Sequence, residues 1–372
     1  MINFWSYKDE YKKYRPKFNK FFDQTLKSGQ IFFGPNLKNF ENNFIKKYKS
    51  KYGVAVGSGT DALLISLMSI NIKRGDEVIT ASNTAIPTIS AIVNSGAKPV
   101  LVDINEDYLI DTNQIEKRIT KKTRAIIPVH LYGQSCDMEP ILMLASKHKL
   151  KVIEDNAQSI GCKYTFSNGE VKYTGTMGDI GTTSFYPTKN LGAYGDGGAI
   201  FTNDDKLAKK IKMIANHGQS KKYHHKTIGC NSRLDSIQAE VLNVKLKYLN
   251  DYNNARNQMA ENYNKAFSSV EQLHIPALNK NSTHVYHQYT LRVHPLYRDP
   301  LRWYLKGKGI DNRIYYPIPL HKQKVFSKIV DSTYNLPSTN LLSATCLSLP
   351  IHTEIENSSQ DYIIEQVLNF FK

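Results

Sequence analysis

The chain has 372 residues, 41% of them hydrophobic, and a formal net charge of +16 from 49 Lys and Arg against 33 Asp and Glu. That length exceeds the roughly 250–300 residues at which single cores stop growing, so two domains are expected. No apolar run approaches the ~20 residues of a bilayer span, the first ten residues lack a signal-peptide core, and Cys136, Cys162, Cys230 and Cys346 form no CxxC pair. A membrane span, a zinc site and a disulfide framework are therefore not expected, and the cytoplasm is the expected compartment.

Residues 1–50 read as an arm: a helix over 8–26, a break at Ser28-Gly29 and Gly34-Pro35-Asn36, and a helix over 37–48 with Leu37, Phe40, Phe44 and Ile45 on one face. A first strand over 52–56 runs into Gly57-Ser58-Gly59-Thr60-Asp61 and a helix striped with Leu63, Leu64, Leu67 and Met68. Strand, small-residue turn and helix make a phosphate site, because free N–H groups and the positive end of the helix dipole converge on the turn. The same residues also make an ordinary helix start with Thr60 or Asp61 as the cap.

Strands over 77–80, 98–103, 123–128 and 151–154 then alternate with helices over 87–95, 112–119 and 138–148. This α/β pattern calls for a mostly parallel sheet covered on both faces, with ligands beyond the carboxyl ends of its strands. Gly59, Thr60, Thr84 and Asp155 all follow predicted strands, so the fold would gather them at one rim. Asp155 ends a buried strand, where a carboxylate needs a cationic partner such as a protonated cofactor ring or else caps a helix.

Residues 167–179 read as a loop, and strands over 180–186 and 198–202 flank the stretch from Ser184 to Gly198. In it Lys189 stands between an apolar run and a glycine-rich turn, five residues after Ser184. That placement suits a Schiff-base amine beside a phosphate; the alternative is a solvated surface lysine. Beyond residue 207 the pattern is helical, broken by a polar segment over 217–231, with one long helix or a kinked pair over 234–267. From 275 the texture changes to a strand over 287–293, a helix over 300–308, an extended segment over 313–317 and a last helix over 360–371. A large domain over 1–250 and a smaller α+β domain over 251–372 are expected.

His217, His224, His225, His284, His287 and His321 have no HExxH or HxH spacing, so no metal site is expected. The lysine clusters fall at helical spacing, as solvated faces do, and no nucleic-acid-binding pattern accompanies them. Attraction of a phosphorylated substrate, or a simple compositional bias toward Lys and Asn, is the expected source of the charge.

The chain resembles the DegT/DnrJ/EryC1/StrS family of PLP-dependent (nucleotide-sugar) aminotransferases, which has the fold-type I architecture. The resemblance covers nearly the whole chain. It rests on Ser28-Gly29 with Gly34-Pro35, Gly59-Thr60-Asp61-Ala62-Leu63, Gly96-Ala97-Lys98-Pro99-Val100 with Val102-Asp103, His130-Leu131-Tyr132-Gly133, Glu154-Asp155-Asn156-Ala157-Gln158, Ser184 to Gly198, Asn231-Ser232-Arg233-Leu234-Asp235, and Tyr315-Tyr316-Pro317 through Leu320-His321.

By that resemblance Lys189 carries pyridoxal 5'-phosphate as a Schiff base and shuttles the proton, while Asp155 keeps the ring nitrogen protonated. Gln158 faces the ring hydroxyl. Gly59, Thr60 and Ser184 cradle the phosphate, joined by Asn231 from a neighbouring subunit, which implies a homodimer with shared sites. Arg233, Tyr186, Tyr316 and His321 are candidate substrate contacts, His321 reading equally as a loop histidine. At the cofactor-facing position after Thr84 the family usually carries a large residue that stacks on the ring, and Ala85 cannot stack in that way.

The function implied is ping-pong transfer of an amino group from L-glutamate to the ketone of a nucleotide-linked keto-deoxy sugar, in surface glycan or capsule precursor synthesis. The same transfer onto a small phosphorylated ketone such as a triose phosphate is the alternative, and a non-catalytic PLP-binding regulator is a second.

Overall fold

The computed structural model describes residues 1–331 and 333–372. In chain order its elements are α1 (Lys8–Ser28), α2 (Pro35–Tyr48), β1 (Tyr52–Val56), α3 (Gly59–Ser69), β2 (Glu77–Ala81), α4 (Ile86–Asn94), β3 (Lys98–Val102), α5 (Thr112–Ile115), β4 (Thr123–Ile127), α6 (Met138–His148) and β5 (Lys151–Asp155). There follow β6 (Lys163–Thr165), β7 (Val171–Tyr173), β8 (Ile180–Ser184), β9 (Gly198–Thr202), α7 (Asp205–Ala215), β10 (Gln219–Lys221), β11 (His224–His225), α8 (Ser236–Leu246) and α9 (Leu249–Phe267). The chain ends with β12 (Leu273–His274), β13 (Tyr289–Val293), α10 (Pro295–Gly307), α11 (Pro337–Thr345), β14 (Cys346–Leu349) and α12 (Asn357–Phe370).

The main sheet has the order β1-β9-β8-β5-β4-β2-β3. Neighbours from β8 to β3 pair parallel, whereas β9 is antiparallel to both β8 and β1. Every strand except β9 thus carries its carboxyl end to the same rim. The inner strands are short runs of Val, Ile and Ala buried on both faces, as a sheet with helices on each side requires. Where β9 enters the rim, Gly198 pairs with both Val56 and Ser184, and a Cβ there would lie 2.4 Å from the Ser58 carbonyl oxygen. Only glycine lets the turn after β1 approach the end of β8 so closely.

A second core lies under the antiparallel sheet β12-β13-β14, where Tyr263, Phe267, Tyr289, Leu305, Leu349 and Ile363 pack together. A third, aromatic core joins α2 and α8 to the sheet: Phe185 meets Phe40 edge-on at 5.3 Å and Phe44 at 5.8 Å. α9 belongs to two of these cores, with Leu249 in the aromatic one and Phe267 in the second. The arm helix α1 is tied down by Glu10, whose carboxylate takes Lys245 Nζ at 2.8 Å and the Tyr194 hydroxyl at 3.0 Å.

Several elements differ from the sequence expectation, each for a local reason. The helix expected over 112–119 stops at Ile115, and 116–118 form a tighter 3-10 turn that buries no side chain. The Thr120 N–H then goes to Thr123 Oγ1 at 2.9 Å, drawing the chain into β4. The loop expected over 167–179 contains β7, which pairs with β6 in a hairpin too short and polar to show alternation. The extended segment over 313–317 makes only one bridge, Arg313 to Ser348, because Pro317 and Pro319 cannot donate to a ladder. Ile2, within the segment read as an arm, pairs with Ile310 of the second core. No helix among the described residues is long and apolar enough to cross a membrane.

Asp103, just past β3, ties the main sheet to α11. Its buried carboxylate accepts the N–H of Ser338 at 2.9 Å, the N–H of Thr339 at 2.7 Å and the Thr339 hydroxyl at 2.6 Å, capping α11. Replacing it by alanine strands those donors, so Asp103→Ala should lower unfolding free energy by about 2 kcal/mol. Urea denaturation measures this, and an unchanged midpoint would remove the cap from the stability of the fold.

Candidate active site

The carboxyl ends of β1, β2, β4, β5 and β8 enclose a cavity of about 220 Å³. Gly59, Thr60, Ala85, Asp155, Gln158, Ser184, Tyr186 and Lys189 all line it. Residues up to 130 positions apart in the chain meet there because their strands end at one rim.

At the first turn of α3, Ser58 caps the helix by accepting the Asp61 N–H at 3.0 Å. The cap is therefore Ser58 and not Thr60 or Asp61; the pattern Ser58-x-x-Asp61 is a capping-box signal that the sequence offered. Helical geometry leaves the N–H groups of Gly59 and Thr60 without intrahelical acceptors, at the positive end of the dipole. A Cβ on residue 59 would lie 2.7 Å from Ser184 Cβ, so Gly59 is what brings the Ser184 hydroxyl to this turn. Asp61 Oδ2 accepts from Ser232 Oγ at 2.8 Å, and that oxygen accepts the Gly57 N–H at 2.9 Å, fastening the turn from behind.

Asp155 ends β5 with its backbone gripped on both sides: its N–H reaches Pro128 O at 2.9 Å and its carbonyl takes the His130 N–H at 3.1 Å. The side chain is buried. Oδ2 accepts from the Thr88 hydroxyl at 2.9 Å and Oδ1 from the Ala157 N–H at 3.1 Å. Burial raises its pKa, and the Ala157 and Thr88 donors and the positive charge of Lys189 only partly offset this. Thr88 was not singled out from the sequence; it lies in the first turn of α4, its hydroxyl 3.5 Å from that of Thr84, which precedes the helix.

Lys189 sits in a tight turn closed by its own N–H on Tyr186 O at 2.8 Å. The base of this loop is pinned by Phe185 N to Gly197 O at 2.7 Å and Ala193 N to Phe185 O at 2.8 Å, with the Phe185 ring set in the aromatic core. Burial lowers the Lys189 pKa to about 8, the Asp155 carboxylate pulling the other way. At pH 7 roughly a tenth of the side chain is then neutral amine, about 300-fold more than for a lysine at its ordinary value.

The other candidates fall elsewhere in the single chain. Tyr316 is outside the cavity lining but accepts the Gln158 amide N–H at 3.1 Å. His321 is bound to Ser82 Oγ through Nδ1 at 2.7 Å and does not line the cavity. Arg233 stacks its guanidinium on Phe32 at 4.9 Å, beside a separate groove of about 910 Å³ rich in lysine. Asn231 is exposed and bridges to Asn216. No group of three or more His, Cys, Asp and Glu that could hold a metal ion occurs among the described residues.

The aminotransferase family model DegT/DnrJ/EryC1/StrS matches residues 13–368. The chain belongs to this family. It is accordingly a PLP-dependent aminotransferase of fold type I. A pleiotropic regulatory protein of Geobacillus stearothermophilus is 41% identical over 98% of this chain and 97% of its own. The dTDP-3-amino-3,6-dideoxy-alpha-D-galactopyranose transaminase of Aneurinibacillus thermoaerophilus is 41% identical over 99% of both chains. The UDP-2-acetamido-2-deoxy-3-oxo-D-glucuronate aminotransferase of Pseudomonas aeruginosa is 38% identical over 99% of this chain and 100% of its own. Among solved structures, S. venezuelae DesV in complex with a ketimine intermediate superposes with a TM-score of 0.95 at 36% identity, covering 100% of this chain and 98% of that one.

The cavity suits the cofactor on its own evidence: a helix start with unspent N–H groups beside a hydroxyl for a phosphate, a buried acid for a protonated ring nitrogen, and a lysine for an aldehyde. Because attack needs the neutral amine, capture of pyridoxal phosphate by the apoprotein should quicken about tenfold per pH unit up to about 8 and level off above it. Stopped-flow absorbance follows this, and a rate independent of pH between 6.5 and 9 would exclude Lys189 as the attacking amine.

Proposed function

We propose that the enzyme moves an amino group from L-glutamate to the C3 ketone of a nucleotide-linked deoxy sugar for glycan synthesis. The observation that carries the reading is the sharing of one cavity by Lys189, its pKa lowered to about 8, and the buried Asp155. Bound pyridoxal phosphate supplies an electron sink for the carbon that loses its proton. Lys189 Nζ would take that proton and deliver it to the carbon on the other side of the transferred nitrogen, a task that suits an amine with a pKa near the working pH. Asp155 Oδ1 and Oδ2, fixed by Ala157 and Thr88, hold the ring nitrogen in its protonated form. The N–H groups of Gly59 and Thr60 and the hydroxyl of Ser184 bind the phosphate.

The C3 position is favoured because the named sugars of the Aneurinibacillus and Pseudomonas relatives carry the new amine or the ketone at C3, although one bears dTDP and the other UDP. The regulatory name of the Geobacillus relative does not weigh against turnover, since a regulator needs no poised lysine. Four cysteines without disulfide partners suit the reducing cytoplasm as its place of work.

Two chains share each site in this reading. Asn231 and Arg233 lie outside their own chain's cavity, and Arg233 stacks on Phe32 and Phe33, exposed apolar side chains that a partner subunit would cover. Lys189→Ala and Asn231→Ala homodimers should each have low activity, the former by at least a thousandfold. Mixed one to one and re-equilibrated, they should regain about a quarter of wild-type turnover, because about half of the dimers are then hybrids and one of the two sites in each hybrid has both residues. No regain on mixing would place Asn231 in its own chain's site or outside catalysis.

The substrate reading is checked by loading the enzyme with L-glutamate, removing the 2-oxoglutarate, and offering 3-keto and 4-keto nucleotide sugars and small keto phosphates. Amination of the 3-keto sugars is expected. Turnover of 4-keto sugars alone would move the position, and turnover of small ketones alone would defeat the sugar assignment.

A further inference from the structure

Gln158 brings the one side-chain amide that lines the cavity among the described residues, and the protein holds both of its ends. Oε1 accepts the Tyr132 N–H at 2.8 Å, and Nε2 donates to Tyr316 Oη at 3.1 Å. A main-chain N–H can only donate, so the amide oxygen faces Tyr132 and the NH2 faces Tyr316. Of its two hydrogens, Tyr316 takes one; the other is left for the cavity.

Both anchors are themselves constrained. Tyr132 has a left-handed backbone, φ 58°, next to Gly133 at φ 112°, where a Cβ would lie 2.8 Å from the His287 nitrogen. Its hydroxyl donates to the Tyr315 carbonyl, so the segment that supplies Tyr316 is tied to the segment that fixes the other end of Gln158. Burial pushes Tyr316 ionisation well above its ordinary range, so it stays a neutral phenol able to accept the amide hydrogen. The sequence made Tyr316 a substrate contact; the hydrogen bonds give it a different task.

We propose that Tyr316 is a positioning residue, which orients the Gln158 amide so that its free hydrogen meets the ring oxygen of bound pyridoxal phosphate and lowers the proton affinity of that oxygen. The cofactor ring carries one ionisable oxygen, beside the carbonyl carbon that meets Lys189. A donor there stabilises the ionised oxygen, and the donor points correctly only while Tyr316 holds it. The inference rests on the cofactor placement proposed above.

The pH titration of the visible absorption band of the bound cofactor tests it in Tyr316→Phe, Gln158→Leu and the double variant, with borohydride fixation to Lys189 confirming that the cofactor is seated. Both single variants should bind the titrating proton about three- to tenfold more tightly, moving the midpoint up, and the double variant should move it no further than Gln158→Leu alone. A midpoint unmoved in Tyr316→Phe but raised in Gln158→Leu overturns the role of Tyr316 and leaves the cofactor placement standing. A midpoint unmoved in both, with fixation intact, overturns the placement of Gln158 at the ring and the inference with it.

Discussion

Two adjacent acids at the end of β5 are taken out of water, and the way each is compensated organises the rim. A buried carboxylate costs several kcal/mol unless donors surround it. Glu154 is saturated: Oε1 accepts from Met177 and Gly178 N–H, each at 2.6 Å, and Oε2 from Gly175 N–H at 2.7 Å and His130 Nε2 at 2.9 Å. His130 must donate there, since its Nδ1 already accepts the Cys136 N–H at 3.0 Å. Asp155 has only the Thr88 hydroxyl and the Ala157 N–H, and it faces the cavity. A carboxylate offers about four acceptor sites, so Glu154 has none to spare and Asp155 does. The saturated acid holds the loop over 175–178 against the sheet; the unsaturated one keeps acceptor sites for a cationic ligand.

The same constraint explains why the lysine turn is built so stiffly. For Lys189 to offset the charge of Asp155, its loop has to be held against solvation. Phe185 does this from the aromatic core, Gly192 by passing so close to Pro187 that a Cβ would lie 2.3 Å from the carbonyl oxygen, and Asn190 by donating to Asn253 and to Val285 O, each at 2.8 Å. Burial of the amine and burial of the acid push their pKa values toward each other, so a partly neutral amine sits beside a carboxylate that awaits a cation. Acid and base assignments follow from the environment rather than from the residue types alone.

Much of this was legible in the chain because strand ends are legible. Runs such as Val78-Ile79 and Ala125-Ile126-Ile127 mark strands buried on both faces, and residues that follow such runs must lie at the rim, which is how Asp155, Gly59 and Lys189 could be placed together without a structure. What sequence could not give were interactions whose partners are remote and polar. The Tyr132 contact to Gln158 is made by a main-chain N–H, which no side-chain pattern reports, and Thr88 acts through a hydroxyl on an otherwise apolar helix face. The pairing of Ile2 with Ile310 joins segments some three hundred residues apart, and a single bridge has no periodicity to detect. Ser58 is different: its capping pattern was present, and the neighbouring Thr60 and Asp61 concealed it by being equally good cap residues.

The division of labour at the rim bears on specificity. Groups that do chemistry stand at strand ends, where the sheet fixes the backbone. Those that face outward are of another kind: Ala85 at the start of α4, and Ile86 and Tyr186 half exposed. A small residue at 85 leaves the space above the cavity free for a ligand. Relatives named for dTDP-linked and UDP-linked sugars are similar in sequence across nearly the whole of this chain. Changes at the exposed positions around Ala85 should therefore alter which sugar is admitted without disturbing the buried pair of Asp155 and Lys189.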